Sequence, residues 1–214
     1  KGYGMAFTIG KGNDIIAECA KHFFPLFIGL SLDEIEKKIG KLWYDCVDHS
    51  QLRWLGPEKG VVHMATAAIF NALWDLISKK NNKPLWRYVI DQEPDQIMDW
   101  LIFKYIEDTL SKDDAYNVLV SNQKFKSDRI KKILTEGYPS YTTAAGWLGY
   151  SNEKIVDLCN KYTAMGWKHF KVKVGTNLDE DVKRLEIIRN TIGDECSIMV
   201  DVNQQWNIEQ AIKH

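Results

Sequence analysis

Two short alternating runs carry the residues that could do chemistry. In Phe170-Lys171-Val172-Lys173-Val174-Gly175 the lysines alternate with apolar residues. On a strand, both ammonium groups then point to one side and the valines to the other. Two like charges held close and partly desolvated each disfavour protonation of the other, which is how a lysine becomes a usable base near neutral pH. In Ser197-Ile198-Met199-Val200-Asp201-Val202-Asn203, Ile198, Val200 and Val202 fall on one side and Asp201 and Asn203 on the other. A carboxylate and an amide oxygen are hard donors that suit Mg²⁺ or a substrate hydroxyl. Each run has a plainer reading: Lys-x-Lys also guards edge strands against aggregation, and Asp-x-Asn also opens turns or caps helices. Together, two inward lysines followed one strand-helix unit later by an inward acid form an arrangement for abstracting a proton α to a carboxylate, with a metal holding the resulting enediolate.

Both runs must be presented by a parallel sheet. From Tyr138 onward the pattern reads strand, helix, strand, helix, strand, which implies right-handed crossovers. The strands are expected at Tyr141 to Trp147, His169 to Val174 and Ser197 to Asn203, and the helices at about Asn152 to Met165 and Leu178 to Asn190. A further helix begins at Asn207 to His214. If helices cover the apolar face, Lys171 and Lys173 project into a barrel interior near its C-terminal end, where barrel active sites are built.

The preceding residues read differently. Gly4 to Ile9 is a strand candidate, followed by turn residues and a helix capped at Asn13 or Asp14. Ser31, with Asp33, Glu34 and Glu36 after it, caps a helix bearing Leu32, Ile35, Ile39, Leu42 and Trp43 at helical spacing. After the break Gly56-Pro57-Glu58-Lys59-Gly60, the small apolar run Val61 to Ser78 is a third helix, ended by Asn81-Asn82-Lys83-Pro84. Ile97 to Glu136 is mixed and charged, and reads as solvated helices and turns.

Bulk properties exclude several classes. With 28 basic and 29 acidic residues among 214, the net charge of -1 offers no general attraction for nucleic acid or an anionic membrane. No apolar run approaches the roughly 20 residues that a membrane span needs. Cys19, Cys46, Cys159 and Cys196 are widely spaced with no Cys-x-x-Cys pair, so a reducing compartment, cytoplasmic or mitochondrial, is expected.

The sequence resembles the enolase superfamily in its mandelate racemase-like subgroup, most closely enzymes of the L-fuconate dehydratase type. The likeness is carried by Gln51 through His63 (Gln-Leu-Arg-Trp-Leu-Gly-Pro-Glu-Lys-Gly-Val-Val-His), by Tyr141-Thr142-Thr143 through Trp147-Leu148-Gly149-Tyr150, by Phe170 to Gly175, and by Asp201-Val202-Asn203-Gln204-Gln205-Trp206. A lysine base with a Mg²⁺-stabilised enediolate is the general chemistry of that superfamily, so it comes with the resemblance. The resemblance implies an α/β fold with an α+β lid: an enolase-like lid over 1–137 and the first part of a modified TIM (β/α) barrel, left incomplete, over 138–214. It implies a Mg²⁺-dependent hydro-lyase acting on a small-molecule sugar acid, L-fuconate or similar, with a racemase or epimerase, or a non-catalytic interaction chain, as the alternatives. By the same resemblance Lys173 is the general acid/base, Lys171 meets the substrate carboxylate, Asp201 is the first of three acidic metal ligands and Asn203 lines the pocket. The family more often has Ala at Val202 and Arg at Gln205. The other two metal carboxylates and a His/Asp dyad would follow His214, and the start of the lid would precede Lys1, so these 214 residues are expected to be an inactive piece. A homo-oligomer of the full-length protein is compatible with the family.

Other residues offer less. His63, His22 and His49 lack partners at metal-ligand spacing and read as structural. Trp54 either contacts substrate or packs. On the first barrel strand the spacing leaves open whether Tyr141 and Thr143, or Thr142, point inward. Gly10-Lys11-Gly12 lacks the rest of a phosphate loop and reads as a turn.

Overall fold

The computed structural model describes residues 1–8, 10–56 and 59–214. It divides into two compact units, Lys1–Lys131 and Lys132–His214.

The first unit is helical. Asn13–Phe23 (α1), Leu32–Val47 (α2) and Val61–Lys80 (α3) enclose its core, followed by Leu85–Ile90 (α4), Pro94–Trp100 (α5) and Lys112–Asn122 (α6); Lys126–Glu136 (α7) spans the division. Ser31 and Glu34 form a reciprocal capping box that starts α2, with the Ser31 Oγ accepting from the Glu34 N–H at 3.3 Å. The apolar stripe expected on α2 is buried at Ile35, Ile39 and Leu42, against Val62, Ala65, Phe70 and Ile77 of α3. Contrary to the sequence expectation on apolar runs, α3 is by length and composition long enough to cross a membrane. Its packing against α1 and α2 makes it the core helix of this unit.

The strand expected from Gly4 does not form among residues 1–8, and Ile9 lies outside the described residues. Instead the segment lies along α3, and side chains replace a strand ladder. The Tyr3 N–H donates to Asp75 Oδ2 at 2.7 Å, and Asn71 Nδ2 donates to the Met5 carbonyl at 3.1 Å. A Cβ at Gly4 would stand 2.0 Å from the Ala68 carbonyl oxygen, so only glycine permits this approach. At α1 the N-cap is Gly12 in the left-handed region, not Asn13 or Asp14.

The second unit holds the α/β pattern. Asn152–Ala164 (α8), His169–Lys173 (β1), Leu178–Ile192 (α9), Ser197–Asp201 (β2) and Ile208–Lys213 (α10) follow in order. Side chains of Ser151, Asn177 and Asn207 cap the three helices. β1 and β2 pair in parallel, with Lys171 opposite Met199 and Lys173 opposite Asp201. Phe170, Val172 and Val174 are buried with Ile155, Cys159, Ile188 and Ile192, so α8 and α9 cover the apolar face as the alternation requires.

Two expectations fail here. Tyr141 to Trp147 is not a strand: it contributes a single parallel bridge, Thr142 to Phe170. The Thr142 N–H and C=O pair with the His169 carbonyl and the Lys171 N–H at 2.9 Å each, but the Thr142 hydroxyl then accepts from the Ala144 N–H, and the Gly146 N–H donates to the Thr143 carbonyl. That turn ends the ladder, and it rejoins β1 only where Lys173 N–H donates to the Gly146 carbonyl at 2.8 Å. Val200, expected beneath helices, is 52% exposed. β2 has one strand neighbour among the described residues, and Val200 sits on this outer strand; Ile198 and Val202 do pack on the core.

Candidate proton-transfer site

The face of β1 and β2 opposite the apolar core gathers every site residue read from the sequence. Asp201 Oδ2 accepts from Lys173 Nζ at 2.8 Å and lies 3.1 Å from Lys171 Nζ. Its other oxygen, Oδ1, accepts from the Asn203 N–H at 3.0 Å. Lys173 Nζ also donates to Asn203 Oδ1 at 2.8 Å. The register pairing of Lys173 with Asp201 puts both side chains on one face at the C-terminal ends of their strands. Immediately after β2, Asn203 and Gln204 adopt φ of 50° and 61°, the left-handed region that Asn tolerates better than most residues. This turn brings the Asn203 amide oxygen back over the lysine.

Sequence reasoning left the parity at Tyr141 open. Thr142 is buried beside Phe170, so Tyr141 falls on the lysine side and its hydroxyl accepts from Lys171 Nζ at 3.1 Å. The strand alternation, once tied to the Thr142 bridge, is the signal that finds it. A second group escaped notice: Asp181 and Arg184 of α9, an i, i+3 pair whose guanidinium reaches the Lys173 carbonyl at 3.1 Å.

Electrostatics corrects one expectation. Hydrogen bonds from Lys173, then from the Asn203 N–H and Lys171, hold the Asp201 carboxyl well below the usual carboxylate range. The Lys171 ammonium is pushed above its ordinary value by the Tyr141 hydroxyl and then by Asp201. Mutual depression of the two lysines therefore does not govern Lys171, because the Asp201 carboxylate and the Tyr141 hydroxyl at its ammonium favour its charged form.

Among the described residues no three His, Cys, Asp or Glu side chains converge where a metal could sit. The donor set at the lysines is one carboxylate and one amide oxygen, a partial fit to Mg²⁺, which takes near-octahedral oxygen ligation. His63 lies edge-on to Trp43 with ring centroids 5.8 Å apart, as a structural residue would. Trp54 is 79% exposed, which removes core packing as its role in this unit.

Residues 1–89 match the family described as mandelate racemase / muconate lactonizing enzyme, N-terminal domain, and residues 154–214 match enolase C-terminal domain-like. The chain belongs to the enolase superfamily. It is 43% identical over 216 residues to L-galactonate dehydratase of Hypocrea jecorina, matching 100% of this chain and 48% of that protein. The crystal structure of human mitochondrial enolase superfamily member 1 superposes with a TM-score of 0.94 at 40% identity, covering 99% of this chain and 48% of that one. L-Talarate dehydratase from Polaromonas sp. JS666, complexed with Mg and L-glucarate, shares the fold at a TM-score of 0.59 and 21% identity, over 99% of this chain and 46% of its own. The chain thus spans about half the length of the proteins it matches. The enolase-like architecture expected from the sequence, a capping domain with part of a barrel, is the one these similarities show.

Proposed function

We propose that the whole protein is a Mg²⁺-dependent sugar-acid dehydratase, of the L-fuconate dehydratase type, to which these residues contribute one side of the active site. The observation that carries this reading is the convergence of Lys171, Lys173, Asp201 and Asn203 at one end of one sheet face, with Asp201 Oδ2 at 3.1 Å from Lys171 Nζ and 2.8 Å from Lys173 Nζ, and Asn203 Oδ1 at 2.8 Å from Lys173 Nζ. The relatives that act on L-galactonate and bind L-glucarate support the substrate class.

In this reading Lys173 takes the proton α to the substrate carboxylate, and the electron pair moves into that carboxylate as an enediolate. Its return expels the β hydroxyl, which leaves as water with an added proton, and the enol tautomerises to a 2-keto acid. Lys171, kept charged by Tyr141 and Asp201, faces the substrate carboxylate already in the ground state. Asn203 lines the same pocket and steadies Lys173. Asp201 serves as one of several metal ligands, and a bound Mg²⁺ would supply positive charge to the substrate carboxylate oxygens as negative charge grows there. An ion on Asp201 would also occupy the lone pairs that now accept from Lys171 and Lys173.

The full-length protein incubated with a panel of sugar acids in deuterium oxide tests the reading. Keto-acid product from L-fuconate or a close relative, abolished in Lys173→Ala with folding intact, is the expected result. Solvent deuterium entering the α position without keto acid would replace it with racemisation or epimerisation, and near-normal turnover by Lys173→Ala would remove Lys173 as the base.

A further inference from the structure

The proton-transfer chemistry leaves one buried charged pair unused. Asp181, 2% exposed, and Arg184 lie in the first two turns of α9 with the Arg184 Nη1 to Asp181 Oδ1 distance at 3.1 Å. Neither touches the sheet face that carries the lysine side chains. Both are instead spent on backbone. Arg184 Nη1 donates to the Lys173 carbonyl at 3.1 Å, and Nη2 to the Gly146 and Trp147 carbonyls at 3.4 and 3.5 Å. Asp181 Oδ2 accepts from the Gly175 N–H at 2.7 Å.

These contacts surround one residue. They fix its own carbonyl, the amide two residues on, and the Gly146 carbonyl that accepts the Lys173 N–H at 2.8 Å. The site needs such a fixture because both neighbouring backbones are irregular here: the 142–147 segment has turned out of the ladder, and Gly175 sits at φ 110°. An ordinary strand would satisfy these carbonyls through its neighbour; here a guanidinium fork does so. Arg suits this task because its planar donors reach several carbonyls at once, whereas a lysine offers one compact ammonium. Taking a buried carboxylate and a half-buried guanidinium out of water is unfavourable unless they are paired and hydrogen-bonded. Here every contact named above is to the partner or to backbone, and of the pair's side-chain polar atoms only Arg184 Nε lacks a partner among the described residues. A neutral side chain could fill the space, so the retained pair calls for a role that needs directed hydrogen bonds.

We propose that the Asp181–Arg184 pair is a positioning device that holds the backbone of Lys173 so that its ammonium meets the substrate α carbon in register. The inference rests on Lys173 being the proton-transfer residue, as above. Displacing a reacting group by about 1 Å can cost about 100-fold in rate. The loss should therefore appear in kcat while KM, set by groups that bind the substrate in the ground state, changes little.

The test uses the full-length protein with Arg184→Lys and Asp181→Asn, and Lys173→Ala as a reference. Circular dichroism and thermal melting give the folded fraction, and kcat, KM and α-proton exchange in deuterium oxide are then expressed per folded protein. The expected result is a fall in kcat and in α-proton exchange of about 10- to 100-fold in both variants, with KM within about threefold of the parent. Added methylguanidine should restore part of the rate to a folded Arg184→Ala protein. A purely structural role would lower the melting temperature and leave kcat per folded molecule unchanged. Folded Arg184→Lys and Asp181→Asn proteins within about twofold of the parent kcat would overturn the proposal, and so would failure of Arg184→Lys, Arg184→Ala and Asp181→Asn all to fold, since the pair would then serve the fold alone. If Lys173→Ala itself turns over normally, it is the catalytic reading that fails.

Discussion

The Lys173 ammonium lies 2.8 Å from the Asp201 carboxylate, and the two residues are register partners across the parallel pair β1 and β2. Because a strand pair is rigid and both side chains leave the same face, this ion pair is built into the register and does not depend on a loop.

The first prediction follows from the titration of Asp201. Its carboxyl is held well below the ordinary range, chiefly by Lys173. A carboxylate whose folded value is depressed adds stability that is fully present above its unfolded value, about 3.9, and that fades as the pH falls toward the folded value. Asp201→Asn should therefore be less stable than the parent chain near neutral pH, and the gap should close below about pH 4. Urea midpoints measured from about pH 7 to about pH 2 check this; a gap of constant size across that range would mean that the pair does not contribute through its charge.

Lys171 gives the second. The Tyr141 hydroxyl is the leading cause of its raised value, ahead of Asp201. Tyr141→Phe should bring the Lys171 ammonium back toward the ordinary lysine range without unfolding the chain, read by NMR titration of the lysine Cε and Nζ resonances. With its folded value raised, the stability Lys171 contributes is present at neutral pH and disappears as the pH climbs through that value. In the full-length protein Lys171→Met should raise KM as well as slow turnover if, as proposed, its charge meets a carboxylate present before the chemical step. An unchanged KM with only slower turnover would argue against that contact.

The alternation in Phe170 to Val174 and Ser197 to Asp201 was sufficient to place Lys171, Lys173 and Asp201 on one face, because a period of two leaves no other arrangement once the opposite face is buried, whereas Asn203 lies beyond β2 and joins them through its left-handed turn. The cap at Ser31 was equally readable, since it is a local hydrogen bond. What the sequence hid depends on partners remote in the chain. Gly4 and its neighbours have β-forming character, yet their backbone is met by Asn71 and Asp75 of α3. Tyr141 to Trp147 has strand composition, yet the Thr142 hydroxyl and the approach of Gly146 to β1 turn it aside. The domain boundary read at 137/138 and the division at 131/132 lie to either side of the end of α7. Arg184 was silent because a helical arginine ordinarily faces water, and nothing in an i, i+3 spacing announces carbonyls on another element.

Gly146 gives the third prediction. A Cβ there would stand 2.1 Å from the Lys171 carbonyl oxygen and 2.8 Å from the Val172 Cα, both backbone atoms that cannot rotate away. Gly146→Ala must push the 142–147 segment off β1, breaking the bond from the Lys173 N–H and two of the Arg184 contacts. A loss of at least about 1 to 3 kcal/mol is expected from overpacking alone. Chemical denaturation measures it, and a variant as stable as the parent would show that this segment approaches β1 less closely than described.

The last prediction concerns the metal. Asp201 has one oxygen shared by two ammonium groups and the other taken by the Asn203 N–H. Any cation that binds it must displace the lysines as well as shed its own water, and Mg²⁺ dehydrates reluctantly. One carboxylate and one amide oxygen offer too little in return. The 214-residue chain should therefore show no saturable Mg²⁺ binding up to the millimolar range by calorimetry. In the full-length protein further acidic ligands would tip the balance, and turnover should depend on Mg²⁺ and be lost in Asp201→Asn. A stoichiometric site on the 214-residue chain, abolished by Asp201→Asn, would instead mean that Asp201 and its immediate neighbours suffice to hold the ion, and that the lysines yield it far more readily than their 2.8 and 3.1 Å contacts imply.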